Sequence, residues 1–176
     1  MSSVSTPKCA IELRPVIERD LECLFRFQDD PIANDMADFP ARDRQAFMAH
    51  WQQNILANPD AIAEGIWLIT GPAPVLVGSI VSWSIDHSVD DQNTPSLLPV
   101  EQYVGYWIGR EYWGQGIASQ ALAKFSNMMI SRPLLAWVVQ HNIGSITVLK
   151  RNGFISVEPE SIGLEDELNM RLFCLT

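Results

Sequence analysis

A chain of 176 residues and 19.7 kDa is the length of one domain, and its 47% hydrophobic and 19% charged residues suit a packed core rather than disorder. A net charge of −9 works against nucleic-acid binding, which needs a basic patch; it would favour a cationic acceptor, although the same acidity also serves plain solubility. No apolar run reaches membrane-spanning length, Cys9, Cys23 and Cys174 form no CxxC pair, and His50, His87 and His141 stand apart, which predicts reduced thiols in a cytoplasm, no membrane and no metal.

Taken in order, residues 1–10 are small and polar, carry no signal-peptide apolar segment, and are expected to form a flexible N-terminus before a single domain over residues 11–176. Ile11 to Arg14 reads as a strand stopped by Pro15. Asp20 is placed to cap a helix carrying Leu21, Leu24, Phe25 and Gln28, which ends near Asp29-Asp30-Pro31. Ile32 to Phe39 is ambiguous, with one or two helical turns before Pro40. Asp43 caps a further helix whose apolar face is Phe47, Met48, Trp51 and Ile55, ended by Asn58-Pro59.

Ile66 to Thr70 and Val75 to Ile85 are β-rich runs around a Gly71-Pro72-Ala73-Pro74 turn. Asp86 to Pro99 is a polar loop, long for a compact domain. Glu101 to Ile108 is strand-like, Gly116 to Ser131 helical with Ile117, Ala121, Leu122, Phe125, Met128 and Met129 on one face, and Leu134 to Val139 strand-like again. Ile143 to Asn152 reads as a helix with Gly153 at its C′ position. Phe154 to Val157 and Leu168 to Leu175 complete the strands, around an acidic stretch with Glu158, Glu160, Glu165, Asp166 and Glu167 that reads as a solvated loop or a charged recruiting surface. The order β-α-α-β-β-β-α-β-α-β-β predicts an α/β (mixed α+β) fold with a mostly antiparallel sheet flanked by helices.

The stretch from Gly105 to Asn127 organises the chain: a strand end, the turn Trp113-Gly114-Gln115-Gly116, and a helix start. Unpaired N–H groups at a helix N-terminus suit an anion, and glycines let it approach the backbone; tight helix–strand packing is the alternative use of such a turn. Ser119 replaces the third glycine of a dinucleotide fingerprint, and no Gly-Lys-Ser/Thr follows.

With His141-Asn142-Ile143-Gly144-Ser145 and Leu149-Lys150-Arg151-Asn152-Gly153-Phe154 downstream, the sequence resembles the GNAT superfamily of acyl-CoA-dependent N-acetyltransferases, and within it the RimJ/RimL branch that acetylates protein N-termini. Weaker echoes stand at Leu13-Arg14-Pro15, Gly78-Ser79-Ile80 and Glu167-Leu168-Asn169-Met170, so the likeness spans most of the chain. The resemblance implies acetyl-CoA as acyl donor and an amine acceptor, either a peptide N-terminus or a small amine; a catalytically silent acyl-CoA sensor is the other class, and a homodimer is left open.

It further implies that the backbone from Trp113, Gly114, Gln115 and Gly116 through Ile117, Ala118 and Ser119 holds the pyrophosphate, with Lys150 or Arg151 near the nucleotide end. Tyr106, Trp107 and Ile108 pair their backbone with the pantetheine arm, and Asn142 is placed to cap its helix, to bond that arm, or to do both. Ser145 becomes the acid for the departing thiolate, because Leu149 stands where many relatives have tyrosine. Glu101 is the candidate base, two residues from Tyr103, which occupies the usual glutamate position. No cysteine lies among the motifs, which favours direct attack over a covalent route.

Overall fold

Seven strands build one sheet in the computed structural model, which describes residues 9–86, 100–162 and 169–176. In chain order these are β1 (Ala10–Pro15), β2 (Ile62–Ile69), β3 (Val75–Asp86), β4 (Val100–Ile108), β5 (Leu134–Val139), β6 (Ile155–Val157) and β7 (Met170–Leu175). The sheet order is β1-β2-β3-β4-β5-β7-β6, antiparallel throughout except for a parallel step from β4 to β5. This is the expected mixed, mostly antiparallel α/β arrangement. The expected loop is described only at Asp86, which ends β3; residues 87–99 lie outside the described residues, as do residues 1–8 and Glu165, Asp166, Glu167 and Leu168 of the acidic stretch.

Five helices flank the sheet: α1 (Leu21–Gln28), α2 (Pro31–Ala37), α3 (Arg44–His50), α4 (Ile117–Met128) and α5 (Ile143–Arg151). The ambiguous stretch after Pro31 is therefore a full helix, and the element order gains one α. Its cause is local: Asp30 caps it by accepting from the N–H of Ile32 at 3.0 Å, and Pro31 takes the first helical position, where a missing N–H costs nothing. Asp20 does not cap α1 as expected. It ends a 3₁₀ turn over Glu18–Asp20, and its carboxylate reaches back to accept from the N–H of Ile17 at 3.0 Å. Asp43 does cap α3, accepting from Ala46 N–H at 2.8 Å, and the helix runs on as π turns over Trp51–Leu56.

Two apolar layers result. On one face α4 lays Ile117, Ala121, Leu122 and Phe125 against Ile66, Ile80, Val104 and Leu134, with Ile146 and Leu149 of α5 alongside. Met129 is packed at the edge of that layer, but Met128, expected on the same face, is 55% exposed because α4 ends there. On the other face Leu21, Leu24, Phe27, Phe47 and Trp51 cover Leu76, with Trp107 at the margin. Helix α5 closes with a paired C-terminal motif: Gly153 N–H to Lys150 C=O at 3.2 Å and Phe154 N–H to Leu149 C=O at 3.1 Å, with Gly153 at φ +83°. Phe154 and Leu149 both lie in the first layer, which anchors the end of α5 on the sheet.

Phe125 is fully buried at the centre of the α4 layer. Phe125→Ala should lower unfolding free energy by about 3–5 kcal/mol, read as a lower denaturant midpoint at unchanged slope.

Candidate active site

The parallel step between β4 and β5 holds for two residue pairs only, Gln102 with Leu134 and Tyr103 with Leu135. Beyond them the strands part, and the rest of β4 borders a gap. Gly109 N–H donates to Val77 C=O of β3 at 2.8 Å. Backbone groups alternate sides along a strand, so the N–H groups of Tyr106 and Ile108 face the gap, a ready edge for an amide-bearing chain. The Ile108 carbonyl is held by the Trp113 indole N–H at 2.9 Å, which fixes the loop that follows to the strand end.

That loop turns through Gly114 at φ +73° and Gly116 at φ +75°, and a Cβ at either position would meet no atom within 4 Å. Gly116 is the N-cap of α4 and has no side chain to satisfy the first-turn N–H groups, so they remain offered outward with the positive end of the helix dipole. Asn152, at the end of α5, donates to the Ser119 hydroxyl at 3.2 Å and ties the two helices at this point.

Loop, strand edge and α5 enclose a cavity of about 510 Å³. Its walls include Tyr106, Trp107, Ile108, Trp113, Gly114, Gly116, Ile117, Ala118 and Ser119, together with Asn142 and Ser145. Two residues of the expected set fall outside it. Gln115 folds back, its side-chain amide donating to Glu111 C=O at 3.2 Å, which leaves only its backbone near the loop. Lys150 is exposed on another side of α5, and Arg151 lines the cavity in its place. Helical periodicity puts position 151 in line with Gly144, Thr147 and Val148, so the choice of Arg151 was open to sequence arithmetic.

A second cavity, about 610 Å³, opens on the side of α2 and α3. Both cavities share Ala37, Tyr106, Trp107, Asn142 and Ser145, so their meeting point is the splay itself. Asn142 caps α5, accepting from Ser145 N–H at 3.0 Å through its carbonyl oxygen, which leaves the amide NH₂ for another partner. The Tyr106 hydroxyl spans the gap from β4 and donates to the Ser145 carbonyl at 3.4 Å; burial pushes its pKa up to about 12, so the hydroxyl stays a donor. Sequence reasoning placed only the backbone of Tyr106 here. Its side chain gave no periodic or motif signal.

Glu101 lies elsewhere. It is 2% exposed, lines neither cavity, and accepts from the Tyr103 hydroxyl at 2.6 Å. Tyr103 in turn stacks on Trp83, a wall of the second cavity, with centroids 5.7 Å apart. Among the described residues no cluster of His, Cys, Asp or Glu could hold a metal.

Helix α2 crosses the mouth of the gap and is held at both ends. Asp30 accepts from Arg110 Nε at 2.5 Å as well as capping the helix, and the carbonyl of Asp35 lies 3.1 Å from His141 Nε2 at the β5–α5 turn. The Arg110 guanidinium lowers the pKa of Asp30, keeping it ionised.

Comparison with known proteins agrees with this geometry. Residues 10–155 match the family described as the acetyltransferase (GNAT) domain. A domain from Methanocaldococcus jannaschii superposes with a TM-score of 0.72 at 17% identity, over 95% of this chain and 98% of that one. An acetyltransferase from Thermus thermophilus gives 0.67 at 19%, covering 96% and 97%. The aminoglycoside acetyltransferase AAC(6')-Ib, solved with coenzyme A and kanamycin, gives 0.67 at 13%, covering 95% of each chain. No curated protein matches the sequence.

His50, on the wall of the second cavity, has its pKa lowered from 6.5 by burial and then by the charge of Arg42. A depressed folded-state pKa means the unfolded chain takes the proton first, so this contribution to stability is present above pH 6.5 and is lost as pH falls through the folded value. Thermal melts from neutral pH downward should therefore fall more steeply for wild type than for His50→Gln.

Proposed function

The chain belongs to the acetyltransferase (GNAT) domain family, and from that premise we propose that it transfers an acetyl group from acetyl-CoA to an α-amine, most readily the N-terminus of a peptide, in the manner of the RimJ/RimL branch. The observation that carries the reading is the junction of two cavities at an open strand edge: one is shaped for a phosphate-bearing, amide-bearing donor, the other for an acceptor.

The donor fits what the chain offers. Uncapped N–H groups at Ile117 to Ser119, with open space over Gly114 and Gly116, receive a pyrophosphate, and Arg151 adds the cation beside them. The N–H groups of Tyr106 and Ile108, with the Asn142 amide, are placed for a pantetheine arm. A thioester supplies an activated acyl carbon and a thiolate leaving group. Of the strand-edge N–H groups near Ile108, that of Tyr106, which borders both cavities, serves as donor to the carbonyl oxygen on which charge develops. Ser145 keeps the assigned role of acid for the departing thiolate, with the Tyr106 hydroxyl, donating to the Ser145 carbonyl, bracing the turn that carries it.

Glu101 enters this reading as an indirect base, acting through water, since its carboxylate is held by the Tyr103 hydroxyl and lines neither cavity. Such a weak path suits an α-amine. With a pKa of about 8 an α-amine is partly neutral at pH 7, whereas a lysine near 10.4 would need about 3 kcal/mol more to deprotonate.

Saturation with acetyl-CoA at ~100 times Kd should add about 2.7 kcal/mol, a rise on the order of 5–10 °C in Tm, and Gly116→Asp should abolish it. No rise at any reachable concentration would sink the reading. For the chemistry, Ser145→Ala should lower kcat roughly 10²-fold with KM little changed, while Glu101→Gln should shift the alkaline approach of the pH–rate profile. A serine variant within twofold of wild type, or a glutamine variant with an unaltered profile, would remove that residue from its role.

A further inference from the structure

The acceptor cavity has a charge pattern at odds with the acidity of the whole chain. Its described lining residues include Phe39, Trp51, Trp83, Trp107 and Trp137, several neutral amides and hydroxyls, and no carboxylate. The charged side chain among them is Arg42, since His50 is neutral at pH 7 and accepts through Nδ1 from the Asn54 amide at 3.1 Å. Arg42 is half-buried, lies over the Phe39 ring at 4.8 Å, and forms no ion pair with any described residue. A guanidinium stacked on a ring keeps its N–H fork free in its own plane, which is the geometry a carboxylate takes up bidentately.

Phe39 in turn stands edge-on to Trp107, with centroids 5.8 Å apart, and Trp107 borders the junction where transfer occurs. Arg42 thus sits two ring contacts from the reacting end. Those contacts, 4.8 and 5.8 Å, bound the path from the Arg42 guanidinium to the Trp107 ring, and at roughly 3.3–3.6 Å per extended residue a dipeptide together with the reach of a carboxylate to the guanidinium matches that bound. A polycation would have to enter this wall against Arg42, with no described carboxylate to receive its charges.

We infer that Arg42 selects an acceptor whose α-amine is followed, about one dipeptide length away, by a carboxylate. This rests on the α-amine reading above. Two sources supply that chemistry, an acidic side chain near the start of a longer peptide and the C-terminal carboxylate of a short one, and matched acceptors separate them. One pair is a tripeptide amide with aspartate second against its asparagine isostere; the other is a dipeptide acid against the dipeptide amide.

The charged member of at least one pair should be preferred by roughly ten- to a hundredfold in kcat/KM, as a charge-assisted hydrogen bond provides. The preference should collapse toward unity in Arg42→Gln and return in part in Arg42→Lys. Because the readout is a ratio within one protein, partial unfolding of a variant does not mimic it. Equal rates within both pairs, or a ratio untouched by Arg42→Gln, would overturn the inference while leaving α-amine transfer standing. Turnover confined to polyamines or other acceptors without an α-amine would overturn both.

Discussion

The site depends on one backbone constraint: β4 and β5 run parallel yet share only two residue pairs before they part. Elsewhere in a sheet an unpaired strand edge is a liability, because its N–H and C=O groups need partners. Here the gap is enclosed by a loop on one side and helices on the other. The groups that lack strand partners become the surface on which a ligand with amides of its own can pair. The glycine loop, the start of α4 and the first turn of α5 all surround this opening, and each would be ordinary helix-end structure without it.

Much of this was legible because it follows from local chemistry. The loop glycines, the Asn142 cap and the Gly153 terminus each answer a need set within a few residues, so the sequence around them states the answer. The strands facing two packed layers were likewise readable from β-branched and aromatic runs. What sequence reading missed is tertiary. Tyr106 matters through its hydroxyl because α5 happens to begin across the gap from it. Glu101 shares a strand face with Tyr103, as its spacing implied, but the face there lies before the splay, where the carboxylate meets Tyr103 instead of a cavity. Lys150 and Arg151 both qualify on the sequence, and one step along α5, a turn of about 100°, decides that Arg151 and not Lys150 lines the cavity.

Helix α2 was hidden for a related reason. Its seven residues span barely two turns, too few to show a helical period, and short helices are marginal by themselves. What makes it a helix is a capping aspartate that also pairs with Arg110, and a far end positioned against His141. Ala33, Met36 and Ala37 line the first cavity and Ala37 the second as well, so the two spaces share a wall whose anchor points lie outside either.

The two-pair joint has a mechanical consequence as well. It is the vertex of a V whose arms are the remaining lengths of β4 and β5, five and four residues, or roughly 16 and 13 Å at strand spacing. Leverage acts along such arms: a small rotation at Gln102, Tyr103, Leu134 and Leu135 becomes a proportionally larger displacement at the open end. Leu134 and Leu135 are fully buried, Leu134 in the α4 layer and Leu135 in a separate cluster with Tyr103, Leu172 and Cys174. The width of the cleft is thus set at a fulcrum of core leucines that themselves line neither cavity.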